Sequence, residues 1–197
     1  MARRAAAPRV ALYGAGMISR AHAGAAVFAG AQVVAVASRT PEHAAERATE
    51  LGARATTYAA LRDGSEPADL VVVATPPGCH ADDAIALLGT GASVLVEKPL
   101  CRTLADADRL VDAATAAPGR LTYAENLAYA PVVQQLLVRV PRLGQLEHLE
   151  VRALQGVPTW GEFTTDAWGG GALFDLGAHP LAVALLCANA GGAGAPV

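Results

Sequence analysis

The chain has 197 residues, a formal net charge of −3 and a hydrophobic content of 53%, to which alanine contributes much. Its basic residues are scattered and its aromatic residues make up only 5%, so the sequence offers neither a phosphate-neutralising stripe nor a base-stacking surface. The longest apolar run near the end, residues 181–188, is far shorter than the roughly 20 residues that a membrane span requires. We therefore expect a soluble protein with no nucleic acid or membrane partner.

The first 123 residues alternate apolar strands with helical segments. Because both faces of a parallel sheet are covered by helices, its strands are near-continuous apolar runs, as in residues 69–74. The succession predicts an α/β domain with a doubly wound parallel sheet over residues 1–123. Strands are predicted over residues 9–13, 32–37, 69–74, 93–96 and 121–123, helices over residues 17–28, 41–51, 80–88 and 104–117, and a short connection over residues 58–61.

From residue 124 the pattern changes, which predicts a second α/β domain over residues 124–197. A helix is expected near residues 131–140, a strand over residues 146–154 and a helix from about residue 172 to 187. One strand and two helices cannot make a sheet layer, so we expect this domain to be truncated. The unpaired edge of the strand would favour association with another chain.

The sequence Gly14-x-Gly16-x-x-Ser19 stands between the first strand and the first helix, as in the dinucleotide-binding fingerprint. The first glycine permits the tight turn, and the second lets the backbone approach a pyrophosphate. The helix start at Met17 and Ile18 provides an anion site. Serine replaces the third glycine or alanine of the fingerprint. A glycine turn in a phosphate-free α/β protein or in a methyltransferase is the alternative.

The second strand ends in Ser38, Arg39 and Thr40, where NAD enzymes carry an acid that binds the ribose 2′-hydroxyl. A guanidinium offers planar donors to a phosphate, whereas a carboxylate would repel the 2′-phosphate. The pattern favours NADP, with NAD as the second option. In the alternative, Arg39 is a solvated loop residue and Glu42 binds the ribose.

Glu97 and Lys98 follow the strand over residues 93–96, and ligands of open parallel sheets bind beyond such strand ends. Pro99 restricts Lys98 to extended backbone geometry, which would fix the direction of the ammonium group. The alternative is a surface ion pair between two neighbouring residues, which would contribute little.

Asp175 and His179 stand four residues apart in the last predicted helix, on one face. Histidine suits general acid/base work because its unperturbed pKa of about 6.5 lies near working pH. A metal-ligand pair with no evident third ligand and a plain helix contact are the alternatives. The three cysteines, Cys79, Cys101 and Cys187, are widely spaced and fit reduced cytoplasmic thiols better than disulfides or a zinc site.

Five segments, taken in order, resemble the glucose-fructose oxidoreductase/inositol dehydrogenase/MocA family of NAD(P)-dependent oxidoreductases: YGAGMISRAH, ATPPGCH, VEKPLCRTLADADRLV, AENLAYAP and GGGALFDLGAHPL. The resemblance covers nearly the whole chain. It implies a Rossmann domain followed by an open-sheet α/β domain that binds the substrate and often forms an oligomer interface. We therefore expect a homo-oligomer, although family members are considerably longer than this chain.

The resemblance also implies roles for individual residues. Lys98 would contact the reacting hydroxyl or carbonyl, while Asp175 and His179 would position the substrate and move the proton. His22 occupies a common family position, but its helical spacing from Ile18 favours a packing role. Contacts in the cofactor cleft are implied for Thr75, Pro76, His80, Glu97 and Asn126, the last of which would touch nicotinamide or substrate.

These features predict a cytoplasmic, NADP-preferring oxidoreductase that moves a hydride between nicotinamide and a secondary alcohol or its ketone. Sugars, cyclitols and related polyols are the substrates that the family resemblance implies. The alternative is a catalytically silent NADP-binding sensor or partner-binding protein on the same scaffold. A methyltransferase is contradicted by the motifs that follow the glycine loop.

Overall fold

The computed structural model describes residues 6–157, 165 and 171–192. The chain divides into two compact units, with the division between Ala124 and Glu125. Among the described residues, no helix combines the length and the apolar character needed to cross a bilayer.

The described part of the first unit is a six-stranded parallel sheet in the order β3-β2-β1-β4-β5-β6. The order reverses between β1 and β4, which is the switch point beside which ligands bind in such sheets. The predicted doubly wound Rossmann sheet is therefore confirmed. The strands are β1 (Arg9–Tyr13), β2 (Gln32–Ala37), β3 (Arg54–Thr56), β4 (Leu70–Val73), β5 (Ser93–Val96) and β6 (Leu121–Tyr123). The helices are α1 (Ile18–Phe28), α2 (Pro41–Leu51), α3 (Tyr58–Arg62), α4 (His80–Leu88) and α5 (Leu104–Ala116), with a 3-10 turn at Pro77–Cys79.

Helices cover both faces of this sheet because successive strand residues point to opposite sides. On one face, Leu12 and Val72 pack with Ala23 of α1 and Ala48 of α2. The opposite face carries the larger apolar cluster, in which Tyr13, Val71 and Val73 of the sheet pack with residues of α3, α4 and α5. The helices contribute Leu61, Leu87 and Leu110. Each such fully buried Leu or Val contributes about 1.5–3 kcal/mol relative to an exposed one, so the sheet provides a rigid base for the loops at its ends.

Helix α3 occupies the residues where a short connection was predicted, over 58–61, and that prediction is wrong. Strand β3 was not predicted. Strand β3 has no buried residue, so it lacks the apolar run on which a strand prediction depends. Helix α3 is short, but the Thr57 hydroxyl accepts a hydrogen bond from Ala60 N (3.1 Å) and Leu61 is only 2% exposed. The cap and the buried leucine together stabilise this helix.

The described residues of the second unit form helices α6 (Pro131–Arg139), α7 (Gly171–Asp175) and α8 (Ala178–Ala190), with 3-10 turns at Asn126–Tyr129 and Val140–Leu143. The strand predicted over residues 146–154 is wrong, because these residues are in neither a strand nor a helix. A strand requires a partner for its N–H and C=O groups, and none of the described residues of this unit forms one.

The single helix predicted from about residue 172 to 187 is also wrong, since α7 ends at Asp175 and α8 begins at Ala178. Pro180 explains the break: it has no N–H to donate to the Leu176 carbonyl, and its ring would clash with that carbonyl in a continuous helix. His179 N donates to Leu176 O instead, at 3.2 Å. Asp175 and His179 therefore do not lie one turn apart on a common helix.

Candidate functional site

The loop after β1 has the geometry of a phosphate-binding turn. Gly14 has a φ of +127°, and a Cβ placed there would lie 2.5 Å from Ala74 O, so only glycine allows the loop to pack against the end of β4. A Cβ on Gly16 would meet no atom within 4 Å. The backbone at Gly16 thus faces open space that a pyrophosphate could fill, and the residues present fit a dinucleotide.

Serine at the third fingerprint position is accommodated without loss of close packing. The Ser19 side chain is 0% exposed, and its hydroxyl donates to Gly16 O at 2.6 Å. Met17 caps α1 without a side-chain hydrogen bond, so the start of the helix remains available to an anion. The departure from the fingerprint therefore strengthens the turn.

The end of β2 is anchored through its backbone. Ser38 Oγ accepts a hydrogen bond from Thr40 N (3.3 Å), and the Tyr58 hydroxyl is hydrogen-bonded to the Arg39 backbone. Burial raises the pKa of Tyr58, and the bond to Arg39 opposes that rise. The Arg39 side chain is exposed, so its guanidinium is accessible to a ligand.

A cavity of about 300 Å³ lies beside the glycine loop, lined by Ala15, Gly16, Met17, Arg20, His43, Glu46, Arg47 and Glu50. Arg47 is 8% exposed, forms an ion pair with Glu50 and donates to Ala15 O at 3.4 Å. Its Nε atom is buried without a partner in the structure. Because Glu50 also pairs with Arg20 of α1 (2.6 Å), this network joins α1 to α2 behind the loop.

After β4, Thr75 donates its hydroxyl proton to Asp83 Oδ2 at 2.7 Å. Asp83 is 3% exposed and also accepts from the Tyr13 hydroxyl at 3.3 Å and from Arg62. Burial and the charge of Asp83 together raise the pKa of Tyr13 well above its ordinary value. Sequence reasoning missed Asp83, although an acid inside the apolar pattern of α4 was a signal that it needed partners.

His80 is 1% exposed and joins the ends of β4 and β5. Its Nδ1 lies 2.7 Å from Pro99 O, and its Nε2 lies 2.7 Å from Thr75 O. Carbonyl oxygens only accept, so any hydrogen bond at these contacts is donated by a ring N–H. The cofactor contact expected of His80 stays a prediction, and the contacts of the ring join the backbone after β4 to the backbone after β5.

At the end of β5, the Glu97 carboxylate accepts two hydrogen bonds. His22 Nε2 lies 2.8 Å from Oε1, and Lys98 N donates to Oε2 at 2.9 Å. Burial alone would raise the pKa of Glu97, but the bonds from His22 and Lys98 N lower it overall. His22 was expected to serve in packing and instead makes this polar contact. The partly buried Lys98 is the only lysine in the sequence.

In the second unit, His179 pairs with Glu125. The Nδ1 atom lies 2.7 Å from Oε1, and Glu125 Oε1 also accepts from Leu127 N at 3.0 Å. The exposed Asn126 follows in the adjacent turn, and the partly buried Asp175 ends α7. Sequence reasoning missed Glu125, which the quoted segment AENLAYAP contains directly after the last strand.

A proton on Nδ1, shared with Glu125, leaves the lone pair of His179 on Nε2, the tautomer that a general base requires. The structure thus assigns an acid partner to the imidazole that is different from the one the helix spacing indicated. In the described ranges, no group of three or more His, Cys, Asp or Glu side chains could hold a metal ion.

Comparison with known proteins identifies the family. The model of the glucose-fructose oxidoreductase/inositol dehydrogenase/MocA proteins, described as "Oxidoreductase family, NAD-binding Rossmann fold", matches residues 8–125. The chain belongs to this family. The resemblance read from the five sequence segments is therefore confirmed.

Individual family members add detail. Over 118 residues the chain is 42% identical to a "Putative UDP-kanosamine synthase oxidoreductase subunit" of Amycolatopsis mediterranei, a match that covers 57% of this chain and 32% of the relative. The WlbA dehydrogenase of Bordetella pertussis, solved with NADH and UDP-GlcNAcA, is 26% identical with a TM-score of 0.74, covering 89% of this chain and 53% of that one. KijD10, a 3-ketoreductase of Actinomadura kijaniata solved with NADP and TDP-benzene, is 27% identical with a TM-score of 0.78. The match covers 92% of this chain and 57% of KijD10. These matches thus cover between 32% and 57% of the length of the relatives.

Proposed function

We propose that this protein is an NADP-preferring oxidoreductase that moves a hydride between nicotinamide and a secondary alcohol, or its ketone, on a sugar. The observation that carries the proposal is the open space at Gly16, which fits a pyrophosphate beside the uncapped start of α1. The bound nicotinamide would supply or accept the hydride. Gly14, Gly16, Met17 and Ile18 would hold its pyrophosphate.

The substrate class that we favour is a sugar carried on a nucleoside diphosphate. The relative from Amycolatopsis is named for a UDP-sugar product, and WlbA was solved with a UDP-sugar. KijD10 was solved with a TDP compound. Among the sugars, cyclitols and polyols that the sequence led us to expect, these names support nucleotide-linked sugars.

Two side chains would act on the reacting oxygen. Lys98 would donate a hydrogen bond from its ammonium group and stabilise negative charge that develops on the oxygen. In alcohol oxidation, His179 Nε2 would take the hydroxyl proton while Glu125 stabilises the imidazolium through Nδ1. Asp175 would orient the substrate, and the reverse transfers would apply to ketone reduction.

The cofactor preference rests on Arg39, whose exposed guanidinium can pair with a 2′-phosphate. Fluorescence titration should show tighter binding of NADPH than of NADH. Arg39→Ala should weaken NADPH binding by about 10–100-fold, the range of one or two charged hydrogen bonds, and leave NADH binding unchanged. If Glu42→Ala weakened NADH binding while Arg39→Ala changed nothing, Glu42 would hold the ribose and the preference would be for NAD.

Turnover tests the rest of the proposal. UDP-sugars and TDP-sugars, with free sugars and cyclitols for comparison, would be screened by nicotinamide absorbance. Lys98→Met should lower turnover by at least about 100-fold while NADPH affinity stays within twofold. Unchanged turnover would show that Lys98 takes no part in the reaction. Tight NADPH binding with no turnover of any compound would instead favour the silent sensor.

The proposal includes a cytoplasmic location and a homo-oligomer formed through the second domain. The three cysteines are all thiols, which supports a reducing compartment. The oligomer is proposed from the family resemblance alone. Sedimentation equilibrium would test it, and a monomer at all concentrations would contradict it.

A further inference from the structure

Helices on opposite faces of the sheet hold the segment that carries Lys98. His22 belongs to α1, which packs on the face of Leu12 and Val72. His80 belongs to α4, which packs on the face of Val71 and Val73. Both histidines nevertheless reach residues 97–99 beyond the end of β5.

The two contacts fix the backbone on both sides of Lys98. On the amino side, Glu97 Oε2 accepts from Lys98 N at 2.9 Å, and on the carboxyl side Pro99 O contacts the His80 ring at 2.7 Å. A lysine side chain has a flexible four-carbon stem and about 2 kcal/mol of rotamer entropy. Holding its backbone on both sides therefore fixes the direction from which the flexible stem starts.

The Glu97 side chain provides this restraint only while it is itself held. Leu95 packs on the α1 face, and Glu97, two residues further along the chain, returns to the same side. There His22 donates to Oε1 at 2.8 Å, and both side chains are only 14% exposed, so little water competes. Without His22, the carboxylate loses a charge-assisted partner and can rotate away from Lys98 N.

We infer that His22 is a positioning residue for Lys98, acting through the Glu97 carboxylate. The inference rests on the proposed function only for the statement that Lys98 contacts substrate. The restraint on Lys98 itself belongs to the protein without any ligand. It can therefore be measured separately from activity.

The single lysine makes this measurement direct. Protein grown with ε-¹³C lysine has one labelled side chain, so its NMR spectrum reports Lys98 alone. The wild-type signal should be displaced from that of an unstructured lysine peptide, and in His22→Ala it should move toward the peptide value and sharpen. His22→Gln, which can still donate to Oε1, should keep the wild-type signal. His148→Ala, at an exposed histidine of the second unit, is the matched control and should leave the lysine signal unchanged.

Circular dichroism would establish that each variant is folded. If His22→Ala does not fold, Glu97→Ala provides the same test, because it removes the acceptor of Lys98 N directly. A lysine signal identical to wild type in a folded His22→Ala or Glu97→Ala protein would overturn the inference.

Kinetics separates positioning from general destabilisation. His22→Ala should lower kcat by about 10–100-fold, the effect of misplacing a reacting group by roughly 1 Å, with NADPH affinity within twofold. His22→Gln should restore most of the rate. Added to Lys98→Met, the His22→Ala change should cause no further loss, and a full additional loss would contradict the inference. If His22→Ala moves the lysine signal but Lys98→Met leaves turnover unchanged, the proposed function is rejected. The restraint of Lys98 by His22 would still be supported.

Discussion

The Nδ1 atom of His179 lies 2.7 Å from Oε1 of Glu125, and the two side chains are 19% and 5% exposed. A buried carboxylate at this distance keeps the Nδ1 proton in place and stabilises the imidazolium form. The helix spacing in the sequence had indicated Asp175 as the acid for this histidine. The geometry makes Glu125 the residue to test first.

Glu125→Gln should lower turnover by at least about 100-fold and leave NADPH affinity unchanged, because the neutral amide neither stabilises the imidazolium nor specifies the tautomer. Nitrogen-15 NMR of the histidine rings provides a readout that does not require activity. The wild-type His179 should carry its proton on Nδ1, and the variant should show a mixture of tautomers. If Asp175→Asn altered the tautomer and Glu125→Gln did not, the assignment of Glu125 would be wrong.

The two fingerprint glycines should separate stability from cofactor binding. Gly14→Ala combines a positive φ with a Cβ 2.5 Å from Ala74 O, so it should cost about 2 kcal/mol or more of unfolding free energy. Gly16→Ala meets no protein atom within 4 Å, so its stability should stay within about 1 kcal/mol of wild type. Its added methyl occupies the space assigned to the pyrophosphate and should weaken NADPH binding at least about tenfold.

Urea unfolding and NADPH titration of both glycine variants would check this pair. A stable Gly16→Ala protein with wild-type NADPH affinity would show that the pyrophosphate does not bind at this loop. An unperturbed Gly14→Ala protein would contradict the close approach of the loop to β4.

Two adjacent acids of α4 provide a matched test of the buried polar cluster. Asp83 has a 4% exposed side chain bonded to Thr75, Tyr13 and Arg62, whereas Asp82 is 70% exposed and pairs with Arg109 on the surface. Asp83→Ala leaves two hydroxyls unpaired and should cost about 2–4 kcal/mol. Asp82→Ala should cost less than about 0.5 kcal/mol. Equal midpoints of urea unfolding for the two variants would show that the cluster does not stabilise the fold.

The sequence predicted the parts of the fold that carry strong local signals. The apolar runs of β1, β2, β4 and β5 contribute buried residues to the core. Helix α2 begins at Pro41 and is closed by Gly52, which has a φ of +63°. Thr103 caps α5, since its Oγ1 accepts a hydrogen bond from Asp106 N at 3.1 Å. Signals of this kind depend on a few neighbouring residues and are visible without tertiary structure.

The errors arose where structure depends on distant partners. Strand β3 is defined by its pairing with β2 and has no apolar run of its own. The alternating pattern over residues 146–154 indicated a strand, but the pattern cannot supply a neighbour to pair with. The break before α8 was readable from Pro180, and the helical periodicity of the surrounding residues obscured it. Glu125, Asp83 and the His22 contact required coordinates, because each joins residues more than 50 positions apart in sequence.

The Glu97 carboxylate should make a measurable contribution to stability in acid. Burial opposes its ionisation, yet the bonds from His22 and Lys98 N and the positive charges of these two residues lower its pKa below the ordinary value of 4.5. A carboxyl group with a lowered pKa in the folded state stabilises the fold fully above its unfolded-state pKa. That contribution is lost as the pH falls below 4.5 and through the lower folded-state pKa.

Glu97→Gln removes the titrating group, so the unfolding free energy of the variant should depend less on pH in this acidic range. Urea unfolding of wild type and variant at pH 6, 5, 4 and 3 should show the wild type losing more unfolding free energy below pH 4.5 than the variant does. Glu42→Gln, at an exposed glutamate of α2, is the control and should follow the wild-type curve. Parallel curves for wild type and Glu97→Gln would mean that the ionised carboxylate is no better accommodated in the folded protein than in water, and the hydrogen bonds from His22 and Lys98 N could not then hold the segment that carries Lys98.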